Sequence, residues 1–200
     1  MVKLSSPMEN DWVRLEQLTL DHKDDLFRPA TQEALWNWMP YRPSGSGLEQ
    51  YFENYLSEAH EDNLVPFAVI SKQSDELVGV TALMSISRHH RRLEIGHTWY
   101  MAAARGTMIN PAAKLLLLGR AFEWGALRVE FKTDIANTVS RAAIRKLGAR
   151  EEGILRSYVR MLDGTRRDTV CFSILKDEWP RVREKLIDRL ENRADRVSGK

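Results

Sequence analysis

RGTMINPAAKLLLLGRAFEWGALRVEFKT, residues 105–133, sets the order of elements on which the rest of the chain hangs. Asn110 can cap a helix through its side-chain amide, and Pro111 suits a first turn, where no N–H partner is needed. Residues 114–124 have helical composition, and Gly125 supplies the stop. Residues 128–133 then alternate polar and apolar side chains as a strand does. A second helix follows from Asn137 to Leu147, ended by Gly148. Strand and helix in alternation imply an α/β layered domain.

Working outward, residues 65–71, 77–85 and 93–101 are rich in β-branched and aromatic side chains and are divided by polar turns at 72–76 and 88–92. They predict an antiparallel meander. Residues 12–18 alternate Val13 and Leu15 as a first strand, after which Asp21 and Thr31 cap short helices, the second carrying Trp36 and Trp38. The segment RPSGSG at 42–47 is a flexible loop. Leu48, Tyr51, Phe52, Tyr55, Leu56 and Ala59 recur at the spacing of a helix with one face laid on a sheet. Downstream, residues 153–161 and 167–175 flank Asp163-Gly164, a dipeptide suited to a tight hairpin turn. Asp177 opens an amphipathic helix to about residue 193 whose Leu186, Ile187 and Leu190 form an apolar stripe, either closing over the domain or pairing with a second copy as a homodimer. The chain reads as a single domain, 1–200, with a core at about 12–178, seven strands and about as many helices.

Composition narrows the function classes. Two hundred residues, 43% hydrophobic and 29% charged, suffice for one core without metals or disulfides. A single cysteine, Cys171, forms no bridge within the chain, and no charged-then-apolar leader precedes residue 12, so a cytoplasmic protein is expected. No apolar run approaches the roughly 18 residues of a membrane-spanning helix. The net charge of +2 gives no field for nucleic acid or an anionic membrane. Arg88 to Arg92 and Arg166-Arg167 are basic patches without a recognisable nucleic-acid motif, and charged turns of this kind, His89 and His90 included, are ordinarily just solvated. No histidine and cysteine cluster has metal-ligand spacing, so no metal is expected.

The turn at Arg105-Gly106-Thr107 lies between a strand and a capped helix, so backbone N–H groups and the helix dipole converge there. Such a point suits a pyrophosphate, although a lone glycine before a helix is also a common capping device. Taken with Asn137, Ser140, Lys146-Leu147-Gly148 and Asp163-Gly164-Thr165-Arg166-Arg167-Asp168, in this order and spacing, the chain resembles the GNAT N-acetyltransferases, in the branch of the Rim-type protein acetyltransferases. The resemblance covers roughly residues 12–178 and is strongest from Glu94 onward.

That resemblance implies a mixed, mostly antiparallel sheet splayed between its fourth and fifth strands, here 93–101 and 128–133, with acetyl-CoA in the cleft. It assigns Arg105, Gly106, Thr107, Met108, Ile109 and Asn110 to the pyrophosphate, and Asn137, Ser140 and Arg141 to the cofactor at the splay. Met108 departs from the family loop, where a second glycine is common, which predicts an altered loop. Ile144 stands one residue before Arg145, where many members carry a tyrosine acid, so the leaving thiolate would draw its proton from Ser140, Tyr158 or a water. Glu94 is the best placed carboxylate to deprotonate the acceptor amine, with Glu130 a weaker rival, and the alternative for Glu94 is a salt bridge to Arg91 or Arg92. Without the family, Asn137 reads equally as a helix cap with Ser140 in the first turn. Trp36, Trp38 and Met39 suit either an acceptor pocket or the core, and Cys171 reads as a packed hydrophobe. The implied activity is direct acetyl transfer to a primary amine, of a protein N-terminus or a small molecule. A non-catalytic acyl-CoA sensor is the alternative, motivated by Met108 and Ile144.

Overall fold

In a computed structural model, the described residues are 2–30, 47–59, 62–161 and 163–198. The expected cap at Thr31, the side chains of Trp36, Trp38 and Met39, and the loop at 42–46 lie outside them.

The strands are β1 (Met8–Glu9), β2 (Val13–Gln17), β3 (Leu64–Ser71), β4 (Leu77–Ser87), β5 (Arg92–Tyr100), β6 (Arg128–Asp134), β7 (Arg150–Arg160) and β8 (Arg166–Leu175). The helices are α1 (Lys23–Ala30), α2 (Gly47–Ser57), α3 (Ile109–Trp124), α4 (Thr138–Lys146) and α5 (Trp179–Ser198). All eight strands share one sheet in the order β1-β2-β3-β4-β5-β6-β8-β7. Seven were expected. The eighth, β1, is two residues that pair Met8 with Leu15 and Glu9 with Arg14. Its turn is fastened by Asn10, whose Oδ1 accepts from the N–H groups of Trp12 at 3.0 Å and Val13 at 3.1 Å. A pair so short has no periodicity to read.

Every neighbouring pair is antiparallel except β5 and β6, which run parallel and touch only at Arg92 with Arg128, Leu93 with Val129 and Glu94 with Glu130. Beyond Glu94 the two strands part. The splay expected between the fourth and fifth strands therefore falls between β5 and β6 once β1 is counted.

Alternation divides the sheet into two faces. Leu93, Ile95, Val129, Phe131, Val170, Phe172 and Ile174 join a core with Leu117, Leu118 and Ala121 of α3, Ile144 of α4, and Val182, Leu186 and Leu190 of α5. The stripe on α5 is thus used inside the chain: Leu186 is 1% exposed and the Phe122 and Trp179 rings stack at 5.4 Å. On the second face a smaller cluster joins Leu26 of α1 and Phe52 and Tyr55 of α2 to Ala68, Ile70, Val80 and Ala82. Gly125 at φ 107° and Gly148 at φ 96° end α3 and α4 in the left-handed conformation, as read from the sequence. Among the described residues no helix is long and apolar enough to cross a membrane.

Candidate active site

Because β5 and β6 are parallel and diverge, their C-terminal ends and the helices that follow them flank one opening. The chain leaves β5 through a 3-10 turn at Ala102–Ala104, passes residues 105–108 and enters α3; it leaves β6 through residues 135–137 and enters α4. Two helix N-termini, each with a partial positive charge, therefore lie beside the open end of the splay.

The turn at 105–110 departs in detail from expectation. α3 begins at Ile109, with Met108 as its capping residue, so Asn110 lies in the first turn instead of capping it. The cap is supplied by Thr107, whose Oγ1 accepts from the N–H of Ile109 at 3.3 Å and donates to the carbonyl of Ala104 at 2.6 Å. Thr107 was read only as part of the loop, yet a Thr at this offset carries the local capping signal. Met108 sits at φ −81°, open to any residue, with its side chain 4% exposed in the core. Met108 therefore does not adopt the left-handed conformation for which a second glycine would be needed. The positive φ falls on Gly106, at 72°, where a Cβ would meet nothing within 4 Å and the backbone is open to an approaching ligand. Arg105 is exposed and anchored by its Nε to the carbonyl of Tyr100 at 2.8 Å. Among the described residues the backbone N–H groups of Gly106, Thr107, Met108 and Asn110 have no protein acceptor.

At the second helix, Asn137 is the cap, its Oδ1 accepting from the N–H of Ser140 at 2.9 Å. Both sequence readings of Asn137 are compatible with this placement, since the cap sits at the splay. Arg141 donates from Nη1 to the carbonyl of Ile135 at 3.0 Å and pairs with Glu151 at 3.5 Å, while its buried Nε has no partner among the described residues. Ile144 is 8% exposed, a core residue.

The remaining candidates gather on the face of the sheet opposite α3. Pairing puts Met84, Glu94 and Glu130 in one row across β4, β5 and β6. Glu94 is 7% exposed, and its carboxylate accepts from Nζ of Lys132 at 2.7 Å. The alternative reading, a bridge from Glu94 to Arg91 or Arg92, does not form among the described residues: Arg91 donates to the carbonyl of Gly125 at 2.8 Å, and Arg92 lies 3.5 Å from Glu130. Lys132 is held above the ordinary lysine value: burial opposes its charge, but the bond and field of Glu94, with the fields of Glu130 and Tyr158, outweigh it. Tyr158 thus lies near this cluster, half exposed on β7. Burial lowers Arg167 below its usual value, against the opposing fields of Asp134 and Glu94.

The network continues through Glu130, bonded to Arg128 Nε at 2.8 Å, and Arg128 Nη1 to Glu152 at 2.7 Å, with Ser173 Oγ donating to Glu152 at 2.8 Å. The Arg128 bond, aided by Ser173, holds Glu152 down to about 2. Since the folded value lies below the ordinary 4.5, Glu152 adds stability above about pH 4.5 that is lost as the pH falls toward 2. Melting curves of the wild type and Glu152→Gln are expected to differ at pH 7 and converge near pH 2; a constant gap across that range removes the carboxylate as the cause.

Sequence reading missed Lys132 and His97 and took Arg167 only as part of a motif and a basic patch. His97 occupies a bulge in β5 at φ 47°, packs at a tilt of 43° against the Tyr55 ring of α2 with centroids 5.2 Å apart, and has a buried Nδ1 with no partner among the described residues. Burial lowers its pKa below the usual histidine value, against the opposing field of Glu58, which favours the neutral imidazole. A histidine in an apolar strand gives no signal of this until the bulge turns it toward α2. Cys171 is half-buried, its thiol pushed up by burial.

Comparisons with known proteins follow the same lines. Residues 13–150 match the Acetyltransferase (GNAT) domain family. A Bacillus subtilis (strain 168) protein provisionally named a ribosomal N-acetyltransferase, YdaF, is 29% identical over 153 residues, covering 74% of this chain and 81% of that one. A GCN5-related N-acetyltransferase from Brucella melitensis superposes with a TM-score of 0.85 at 29% identity, over 92% of this chain and 85% of the other. RimJ of Mycobacterium smegmatis, solved with CoA-disulfide, shares the fold with a TM-score of 0.76 at 24% identity, over 92% and 93%.

Proposed function

This chain belongs to the GNAT acetyltransferases, and we propose that it moves an acetyl group from acetyl-CoA directly to a primary amine, with a protein N-terminal amine as the preferred acceptor. The observation that carries the reading is the parting of β5 from β6 after Glu94, with the N-termini of α3 and α4 at the open end. The name of the Bacillus subtilis relative, a ribosomal N-acetyltransferase, supports the choice of acceptor.

Acetyl-CoA supplies an activated acyl thioester. The N–H groups of Gly106, Thr107, Met108 and Asn110 and the dipole of α3 suit its pyrophosphate, with the Arg105 guanidinium beside them. The residues fit the ligand at Gly106, where nothing crowds the backbone. Asn137, Ser140 and Arg141 hold the second side of the opening. The acceptor arrives as an ammonium and must lose a proton before its lone pair can attack the acyl carbon. Glu94 receives that proton through a water, Lys132 holding one carboxylate oxygen and so fixing the other. Strand N–H groups of β5 past Glu94, free of β6, stabilise the developing oxyanion. The C–S bond then breaks, the thiolate takes a proton from Ser140 or, through water, from Tyr158, and the second proton lost by the attacking nitrogen as the amide forms returns to that donor. A second reading of the base rests on the unpartnered Nδ1 of neutral His97 in the same wall.

Thiol release from acetyl-CoA, measured against peptides, amino acids, polyamines and aminoglycosides beside direct CoA binding, tests the proposal. Amine-dependent release, greatest with peptide N-termini, is expected. Binding without release for any amine would favour an acyl-CoA sensor, and absence of binding would end the reading.

A further inference from the structure

Lys114 is the feature that this account leaves unused. It lies in the second turn of α3, 5% exposed, with its amine inside the core. A buried lysine ordinarily finds a carboxylate. Lys114 instead donates to two hydroxyls, Thr81 Oγ1 at 2.9 Å and Thr98 Oγ1 at 2.6 Å, which lie 2.8 Å from each other. Burial alone accounts for its depressed pKa of about 7, with no charged neighbour contributing. So costly an arrangement calls for a reason beyond packing, since a leucine or methionine would fill the space without desolvating an amine.

The reason lies in what the two threonines belong to. Ala82 pairs with Gly96 and Val80 with Trp99, so Thr81 on β4 stands opposite two residues of β5, His97 and Thr98. This is a β-bulge. Its first residue, His97, adopts the left-handed conformation, which costs a non-glycine residue roughly 1 kcal/mol or more. Thr98 Oγ1 also bonds the carbonyl of Gly96 at 3.2 Å, closing the bulge on itself. With Thr98 turned toward α3, His97 is turned the other way, onto Tyr55 of α2. The bulge lies in the part of β5 that has left β6, the wall of the splay.

We propose that Lys114 is a positioning residue: its bonds to Thr81 and Thr98 lock the β5 bulge, and so tie the reacting wall of the cleft to the same helix whose N-terminus faces the pyrophosphate end. One rigid helix then sets the distance between the two ends of the bound thioester substrate. The inference rests on the acetyl-transfer reading for its rate consequence but not for its structural one.

Two variants separate positioning from stability. Lys114→Met leaves two buried hydroxyls without their donor and is expected to lower Tm. Adding Thr81→Val and Thr98→Val removes those orphaned groups and is expected to restore Tm close to the wild type, because an apolar set of similar shape is nearly neutral. In both variants kcat should fall by about ten- to a hundred-fold, the scale of a misplaced reacting wall, with CoA affinity within about threefold, since the N-terminus of α3 is untouched. Recovery of kcat together with Tm in the triple variant, or an unchanged kcat in folded Lys114→Met, overturns the proposal. If the wild type turns over no amine, the acetyl-transfer reading is what fails, and amide exchange still decides the clasp. In the triple variant at restored Tm, the amides of Thr98 and Trp99 should exchange faster than in the wild type while those of β3 do not change; equal exchange at the bulge overturns it.

Discussion

Glu94→Gln is expected to lower amine-dependent turnover about a hundred-fold at neutral pH, with CoA binding changed by less than about threefold. Glutamine keeps the volume and can still accept from Lys132, so the 2.7 Å contact that orders this part of the sheet survives. What it loses is the capacity to take a proton. Position favours Glu94 over Glu130, because Glu94 is the last β5 residue paired to β6 and borders the splay, whereas Glu130 is engaged by Arg128 and Lys132. Paired measurements on His97→Gln divide the two readings of the base. A large loss in Glu94→Gln with a small one in His97→Gln supports the carboxylate; the reverse transfers the role to the imidazole; losses of CoA binding in either variant would mean that the cleft itself has been disturbed.

The division of the fold into readable and unreadable parts follows from range. Gly125, Gly148 and the capping amide of Asn137 act within a turn of their own position, and the structure puts each where the sequence does. The hairpin at Asp163 is equally local, its Oδ1 accepting from the N–H of Thr165 at 2.9 Å. α3 starts two residues before the expected place, because the hydroxyl of Thr107 bonds the N–H of Ile109 and Met108 packs into the core, which puts Asn110 in the first turn. The splay between β5 and β6 was implied only by the family resemblance, and their parallel pairing was not read at all, since no spacing within either strand encodes its partner.

The chemistry was legible where a residue acts through the backbone near it, and illegible where it acts across the sheet. Glu94 was singled out, but its partner Lys132 is 38 residues away and meets it only because β6 lies beside β5. Lys114 and Thr81 are likewise 33 residues apart. His97 was passed over because strand alternation treats it as one more position, and a bulge defeats alternation. Each of these is a contact between elements, and each bears on the cleft.

Phe172→Ala should cost about 3–5 kcal/mol, lowering Tm by roughly 10 °C for a domain of this size. The ring is 0% exposed at the centre of β8, paired with Phe131 of β6, and the Arg145 guanidinium lies 5.7 Å from its centroid. Truncation leaves a cavity beneath the strand that forms one wall of the splay, where close neighbours on β6, α4 and α5 cannot collapse to fill it. Cys171→Ala, one residue earlier and on the opposite face, supplies the control, with an expected cost under about 1 kcal/mol. A ligand that binds only the folded chain adds a fixed increment, about 2.7 kcal/mol at a hundred times its Kd. Acetyl-CoA should therefore raise the melting temperature of Phe172→Ala and the wild type by comparable amounts if Phe172 only supports the fold. A markedly smaller rise in the variant would show that the ring also sets where β6 stands, and that the core behind the sheet shapes the cleft in front of it.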